Sequence, residues 1–260
     1  MRGVSDEKPS LSGARAKLAR ATFHLQELAT EWQAVVDRGD YTFVHEVHAS
    51  GLNHRYRSAA VPELDAHWSL VLGDCVHNLR AALDQLAHEL VRADGGMPGD
   101  RTVFPVLHAP GRTYVWGGVS DEARELIGAV QPFTGNDDGT RLAVIDRLAT
   151  VDRLGNLVLS VGACGIAAPV RLEVTRPAPP IVKEWTSDQP IANGKTVHGY
   201  TYATPHFLED PNVRVVPHLM IEDPYVEACF GRRDARELLG DVLIRWVRDT
   251  LLPRFETCFV

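Results

Sequence analysis

The stretch that decides the fold runs from Leu72 to His88 and reads Leu-Gly-Asp-Cys-Val-His-Asn-Leu-Arg-Ala-Ala-Leu-Asp-Gln-Leu-Ala-His. At about 100° per residue, its leucines and valines gather on one side of a helix, and its ionisable side chains share the other side. The pattern predicts a long helix at the centre of the fold, with one buried and one polar face. The polar face is the best candidate for chemistry in the chain, and its site residues are His77, Arg80, Asp84 and His88.

Apolar residues also recur at intervals of three and four in several other segments, a spacing typical of helices that pack through one face. In the first of these segments Leu18, Leu25 and Trp32 lie on one side. Pro62 suits the first turn of the central helix, and Pro253 is expected to end the last helix. The predicted helical core comprises residues 10–40, 62–94, 120–155 and 232–253.

Two regions show strand-like alternation instead. Residues 41–60 alternate around a turn at Ser50-Gly51 and predict a β-hairpin inserted between the first two helices. Residues 168–222 predict a small antiparallel β-meander, with Ala192-Asn193-Gly194 as a hairpin turn. Its expected strands lie at 170–174, 181–185, 197–202 and 213–221. Residues 156–162 fit a helix or a strand equally well.

The composition is that of a folded domain. The chain has 260 residues, of which 45% are hydrophobic and 23% charged, and this excludes the disordered and fibrous classes. We therefore expect a single domain over 1–260 of the α+β class, a bundle of about four long helices that carries the hairpin and the meander.

The net charge of −7 disfavours a broad nucleic-acid-coating surface, although it leaves room for a local basic pocket. The four cysteines show no Cys-x-x-Cys spacing, so neither a disulfide framework nor a zinc module is indicated. The amino terminus lacks the apolar segment of a signal peptide, and no apolar run approaches about 18 residues. We expect a cytoplasmic protein that has no cofactor and no contact with membranes.

The polar helix face has three interpretations. His77 and Asp84 lie about 10 Å apart along a straight helix axis and cannot bond directly, but Arg80 can bridge them, and Asp84 reaches His88 one turn on. The face is a solvated surface, or it lines a cleft or subunit contact where Arg80 binds a phosphate or carboxylate and a histidine transfers protons. A metal site is disfavoured, because the histidines lack the usual spacing of four. Gly73 would let another backbone or a ligand approach closely.

The hairpin holds a weaker candidate. His54 and Arg55-Tyr56-Arg57 form a small patch of basic and aromatic residues, of the kind that contacts RNA or an acidic partner but is more often simply solvated. His45 and His48 are expected on opposite faces of their strand, which argues against a shared metal site.

The central helix also carries a resemblance. The block from Leu72 to Ala87, followed by Val103-Phe-Pro-Val106, resembles a group of uncharacterised bacterial proteins whose helix reads like His-Asn-Leu-Arg-Ser-Ala-Leu-Asp-His. That helix in turn resembles the Arg-x(4–6)-His helix of the HEPN superfamily, helical-bundle proteins that include metal-independent endoribonucleases. In those enzymes the arginine and histidine, usually at a dimer interface, promote attack of the RNA 2′-hydroxyl on its own phosphodiester. The resemblance implies a homodimer acting on RNA or a nucleotide, with Arg80 as the phosphate contact.

This chain departs from that pattern twice. Gln85 stands where the group often has histidine, and His88 lies outside the allowed spacing. Later the chain reads Asp152-Arg153-Leu154-Gly155, where the group tends to read Asp-Lys-His-Arg. Either His77 and His88 have taken over proton transfer, or the site is degenerate and keeps a binding role, which the negative charge favours. The alternative function is a non-enzymatic interaction or scaffold protein that uses the same helix face for dimerisation or partner binding, and whether the chain is an enzyme stays open.

Overall fold

The computed structural model describes residues 8–110, 118–155, 157–167, 178–208 and 213–259. The helices are α1 Ser12–Arg38, α2 Ala66–Ala93, α3 Asp121–Ala129, α4 Asp137–Leu154, α5 Pro224–Phe230 and α6 at residues 235–254. The strands are β1 Thr42–Val47, β2 Asn53–Ala60, β3 Leu159–Ala167, β4 Ile181–Thr186, β5 Thr196–Tyr202 and β6 Val213–Ile221. The architecture is α+β, as the sequence predicts.

Helices α1 and α2 form an antiparallel pair. The backbone N–H of Ser10, just before α1, donates to Glu89 near the end of α2 at 3.0 Å. At the other end of the pair, the rings of Trp32 and Trp68 meet edge to face with centroids 5.5 Å apart, and the Trp68 indole donates to Glu31 at 2.9 Å. The predicted apolar side of α2 is buried, including Leu72, Cys75, Val76, Leu79, Leu83, Leu86 and Leu90. This confirms the two-faced central helix.

The start of α2 differs from the prediction, and α2 and α4 both begin at a capping residue. Asp65 caps α2 by accepting from the His67 N–H, so Pro62 precedes the helix instead of lying in its first turn. Asn136 caps α4 by accepting from the Gly139 N–H at 2.7 Å. In both cases a short polar side chain satisfies a backbone donor that the first helical turn leaves free.

The predicted hairpin and two strands of the predicted meander form a single sheet. The four-stranded antiparallel sheet has the order β1-β2-β5-β4, so the predicted hairpin pairs with strands from the predicted meander. The predicted turn is present, with Gly194 at a φ of +76° and the Lys195 N–H bonded to the Ala192 carbonyl. A separate two-stranded sheet pairs β3 with β6.

The ambiguous region resolves as a strand, since α4 ends at Leu154 and β3 begins at Leu159. The predicted strand at 170–174 lies outside the described residues.

Helix α6 passes through Pro253 and ends one residue later, at 254. Two segments before the proline, Leu238–Ile244 and Val247–Leu251, are π-helical. Proline has no N–H to donate and crowds the preceding turn, which accounts for wider hydrogen-bond spacing only in the segment next to it, Val247–Leu251. The helix packs against α1 and α4, and α4 in turn packs against α2. No helix within the described ranges is both long and apolar enough to cross a membrane.

Candidate functional site

The middle of the polar face of α2, around Arg80, is covered by α4 and by the segment around Phe104. Nη2 of Arg80 donates to the Phe104 carbonyl at 2.6 Å and lies 3.2 Å from Oδ1 of Asp84. Oδ1 of Asp84 also accepts from the Phe104 N–H at 2.9 Å. The Arg80–Asp84 pair therefore holds both polar groups of one backbone residue, whose ring is fully buried.

Arg80 faces a second carboxylate. Its Nη1 lies 3.5 Å from Oδ1 of Asp146 on α4, and its side chain is only 16% exposed. Burial raises the pKa of Asp84, while Arg80, the Phe104 N–H and His88 act against that rise. The guanidinium is thus flanked by two acidic groups and a carbonyl, and an incoming phosphate would have to compete with all three.

The remaining part of the face forms a different cluster. Gly73 permits the close approach expected of it, because a Cβ there would overlap the carboxylate of Asp152 from α4. Burial raises the pKa of Asp152, the nearby Asp74 raises it further, and His77 opposes the rise. The structure therefore joins Arg80 and Asp84 directly, puts His88 within electrostatic reach of Asp84, and places the exposed His77 with Asp74 and Asp152.

The basic and aromatic residues of the hairpin do not form one patch. Strand alternation sends His54 and Tyr56 to the buried inner face of the sheet and Arg55 and Arg57 to the outer face. His54 is held between two partners: its Nδ1 lies 2.9 Å from Nε2 of His45, and its Nε2 lies 3.0 Å from the His206 carbonyl. The prediction that these four residues form a single patch is therefore wrong.

The outer face of the sheet carries a row of four residues in register, one from each strand: Glu46, Arg55, Gly199 and Trp185. The Trp185 indole lies over Gly199, where a Cβ would overlap the ring, and the side chain remains 44% exposed. Glu46 accepts from Nε of Arg55 at 2.6 Å and from Nε of Arg57 at 2.8 Å. These hydrogen bonds, that of Arg57 first, lower the pKa of the Glu46 carboxyl.

A cavity of about 680 Å³ lies elsewhere, between the β3–β6 sheet and the start of α6. Its walls come from β6, from the segment 186–189 after β4, and from the segment 227–237. Inside it, Nδ1 of His218 lies 3.3 Å from Oδ2 of Asp234. Arg236 also binds Asp234, with its Nε and Nη2 each 2.7 Å from a carboxylate oxygen.

Burial alone would raise the pKa of Asp234, but the hydrogen bonds from His218 and Arg236 outweigh it and hold the pKa well below its ordinary value. The carboxylate is therefore ionised and can only accept, so Nδ1 of His218 carries the proton of this hydrogen bond. Nε2 of His218 is buried and has no hydrogen-bond partner among the described residues.

Sequence reasoning missed Trp185, His218 and Asp234. His218 looks like one more residue of a strand-like run, and Asp234 opens α6 as a helix cap, which is a common structural role. Only the pairing of β6 with the loop before α6, seen in the bridge between Met220 and Asp234, brings the two together.

No protein-family model, curated protein or solved structure matches this chain. Within the described residues, no group of three or more histidine, cysteine, aspartate or glutamate side chains is placed to hold a metal ion. The function must therefore be argued from the site geometry.

Proposed function

We propose that the protein is a HEPN-like helical protein that binds single-stranded RNA or a nucleotide through the outer face of its four-stranded sheet, and that it does not cleave RNA at Arg80. The observation that carries this proposal is Trp185, an exposed indole lying over Gly199 on an open sheet face. Aromatic side chains on a sheet are the usual stacking platform for unpaired bases, and stacking tolerates any base because each has a flat π face.

The charges around the indole support the same ligand. Arg55 stands across Gly199 from Trp185, and the exposed Lys183 lies two residues along the same strand. With Arg57, three cations and the one carboxylate of Glu46 give this part of the face a positive balance, although the whole chain carries −7. We therefore expect weak binding to short single strands that falls steeply as salt is raised.

The contacts of Arg80 favour a protein that binds RNA over one that cleaves RNA at this residue. A phosphodiester at Arg80 would have to displace Asp84 and the Phe104 carbonyl from Nη2. It could not reach Nη1 freely, because this nitrogen is buried and faces Asp146 at 3.5 Å. The same contacts favour the non-enzymatic alternative, in which α2 serves the fold and its exposed His77 end is available to a partner. The four-helix bundle and the homodimer remain part of the proposal, and light scattering of the purified protein tests the dimer by its mass.

The test is fluorescence anisotropy with 5′-labelled 12-nucleotide oligouridine and oligoadenosine at about 50 mM salt. Trp185→Ala is expected to weaken binding by about 5- to 150-fold, which corresponds to the ~1–3 kcal/mol of one stacked base. Phe133→Ala is the control. It removes an exposed aromatic ring just before α4, outside the sheet, and is expected to leave RNA binding unchanged.

Two outcomes would overturn the proposal. One is wild-type protein that binds neither oligonucleotide at this salt, and the other is Trp185→Ala protein that binds as well as wild type. The labelled RNA is also run on a denaturing gel after incubation with EDTA. Metal-independent cleavage that disappears in Arg80→Ala protein would restore the nuclease interpretation.

A further inference from the structure

We propose that Arg55 makes the outer sheet face selective for guanine, by donating from its two Nη nitrogens to O6 and N7 of a guanine base stacked on Trp185. This inference rests on the proposed RNA binding, because Arg55 selects among bases only if a base stacks on the indole. Trp185 accepts any flat base, whereas an arginine beside it can distinguish the bases by the acceptors on their edges.

The sheet register places Arg55 beside the indole. Arg55 of β2 and Trp185 of β4 are both paired with Gly199 of β5, so they flank the glycine at about 5 Å per strand. A side chain at Gly199 would separate them, but the glycine leaves that space to the Trp185 ring, which lies over it. A base that stacks on the exposed face of the indole therefore presents an edge to Arg55.

Arg55 is held through only one of its nitrogens. Its Nε donates to Oε2 of Glu46 at 2.6 Å, and Oε1 of the same carboxylate accepts from Nε of Arg57 at 2.8 Å. Nη1 and Nη2 of Arg55 have no hydrogen-bond partner among the described residues, and the side chain is 60% exposed. Glu46 therefore orients a guanidinium that keeps two neighbouring nitrogen donors for a ligand.

Two neighbouring donors beside a stacking platform favour guanine. Guanine presents the acceptors O6 and N7 side by side, whereas adenine presents N7 beside the N6 amino group, which is a donor. Arginine has no acceptor, so that amino group would find no partner on Arg55. Cytosine has adjacent acceptors in N3 and O2, but a pyrimidine covers less of the indole than a purine and stacks more weakly. Guanine alone combines the larger ring with an adjacent pair of acceptors.

The experiment uses fluorescence anisotropy of the full chain with labelled 12-nucleotide oligouridine and four versions of it. In these a single central uridine is replaced by guanosine, adenosine, cytidine or 7-deazaguanosine, so length and phosphate charge stay the same. Because Arg55 is exposed, the guanosine version is expected to bind about 5- to 10-fold more tightly than the adenosine version, near the lower end for a bidentate contact. The 7-deazaguanosine version keeps O6 but lacks N7, and is expected to bind at least about threefold more weakly than the guanosine version.

Two variants separate the shape of the arginine from its charge. Arg55→Gln removes the paired donors and offers one donor and one acceptor, the pattern that matches adenine, so the guanosine-to-adenosine preference is expected to disappear or reverse. Arg57→Gln is the matched control, because it removes the same charge from the same sheet face. It is expected to weaken binding of all five oligonucleotides by a similar factor and to keep the preference for guanosine.

The outcomes distinguish this inference from the function on which it rests. Wild-type protein that binds none of the five oligonucleotides would overturn both. Wild-type protein that binds all five within twofold of one another would overturn guanine selectivity and leave RNA binding in place. Cytidine binding as tight as guanosine binding would also overturn the inference, as would a guanosine preference that Arg55→Gln protein retains or that Arg57→Gln protein loses to the same extent.

Discussion

The polar face of α2 and the cavity beside β6 contain similar side chains but use them differently. On α2 an arginine is enclosed by two carboxylates and a carbonyl, and it fixes the segment at Phe104. Beside β6 a histidine is fixed by one carboxylate, and its second nitrogen is left without a partner in the described residues. Each arrangement leaves one buried nitrogen without a hydrogen-bond partner in the described residues, Nη1 of Arg80 and Nε2 of His218. They differ in their surroundings, because the α2 network holds a backbone segment whereas the His218–Asp234 pair lies beside a cavity.

This difference bears on how a site is identified. His77, Arg80, Asp84 and His88 attract attention in the sequence because they share a helix face, but a shared face says nothing about what lies opposite. In the structure the opposite side is α4, whose Asp146 and Asp152 occupy the space that a ligand would need.

The largest expected loss of stability comes from removing Arg80 from its contacts with Asp84, Asp146 and Phe104. Arg80→Ala leaves Asp84 and Asp146 facing each other and removes a donor from the Phe104 carbonyl. Because the site is partly buried, we expect a loss of about 2–4 kcal/mol in the free energy of unfolding, measured in urea. Arg55→Ala, an exposed arginine that also pairs with a glutamate, is the control and is expected to cost less than about 1 kcal/mol. Equal costs in the two variants would mean that the α2 network does not serve the fold.

Lowering the pH should reduce the stability that Asp234 contributes and relieve the free-energy cost of ionised Asp84. Asp234 has a lowered pKa, so its contribution to stability is present above the unfolded value of about 3.9 and is lost as pH falls through the folded value. Burial raises the pKa of Asp84, so its ionised form costs free energy at neutral pH that protonation relieves. Asp234→Asn is expected to lose about 1.5–3 kcal/mol at pH 7, the range for hydrogen bonds to a charged group, and less at pH 3.

Urea unfolding of wild type, Asp234→Asn and Asp84→Asn at both pH values checks this prediction. The stability difference between wild type and Asp234→Asn should narrow at pH 3. A difference that is the same at pH 7 and pH 3 would contradict a lowered Asp234 pKa, since an uncharged contribution does not titrate.

Local pattern predicted the parts of the fold that depend on neighbouring residues. Helix α2 shows its buried side through leucine spacing, and the turn at Gly194 follows from a residue free to adopt a positive φ. The pairing of β2 with β5 joins residues almost 150 positions apart, and no periodicity within either strand encodes it. The same limit hid the sites, because Trp185 needs Gly199 beneath it and His218 needs Asp234 beside it.

The smallest expected effect on stability is at Asp188, and it sharpens the contrast most. An exposed carboxylate with no ion pair in the described residues contributes little to folding, so Asp188→Asn should stay within about 0.5 kcal/mol of wild type in urea. Arg80→Lys should lower stability by more, because a lysine ammonium cannot contact the Phe104 carbonyl, Asp84 and Asp146 together as the guanidinium does. This difference would separate a charged residue that serves the fold from one that does not. If Asp188→Asn instead lowered stability as much as Arg80→Lys, the cavity wall beside β6 would be part of the folding network.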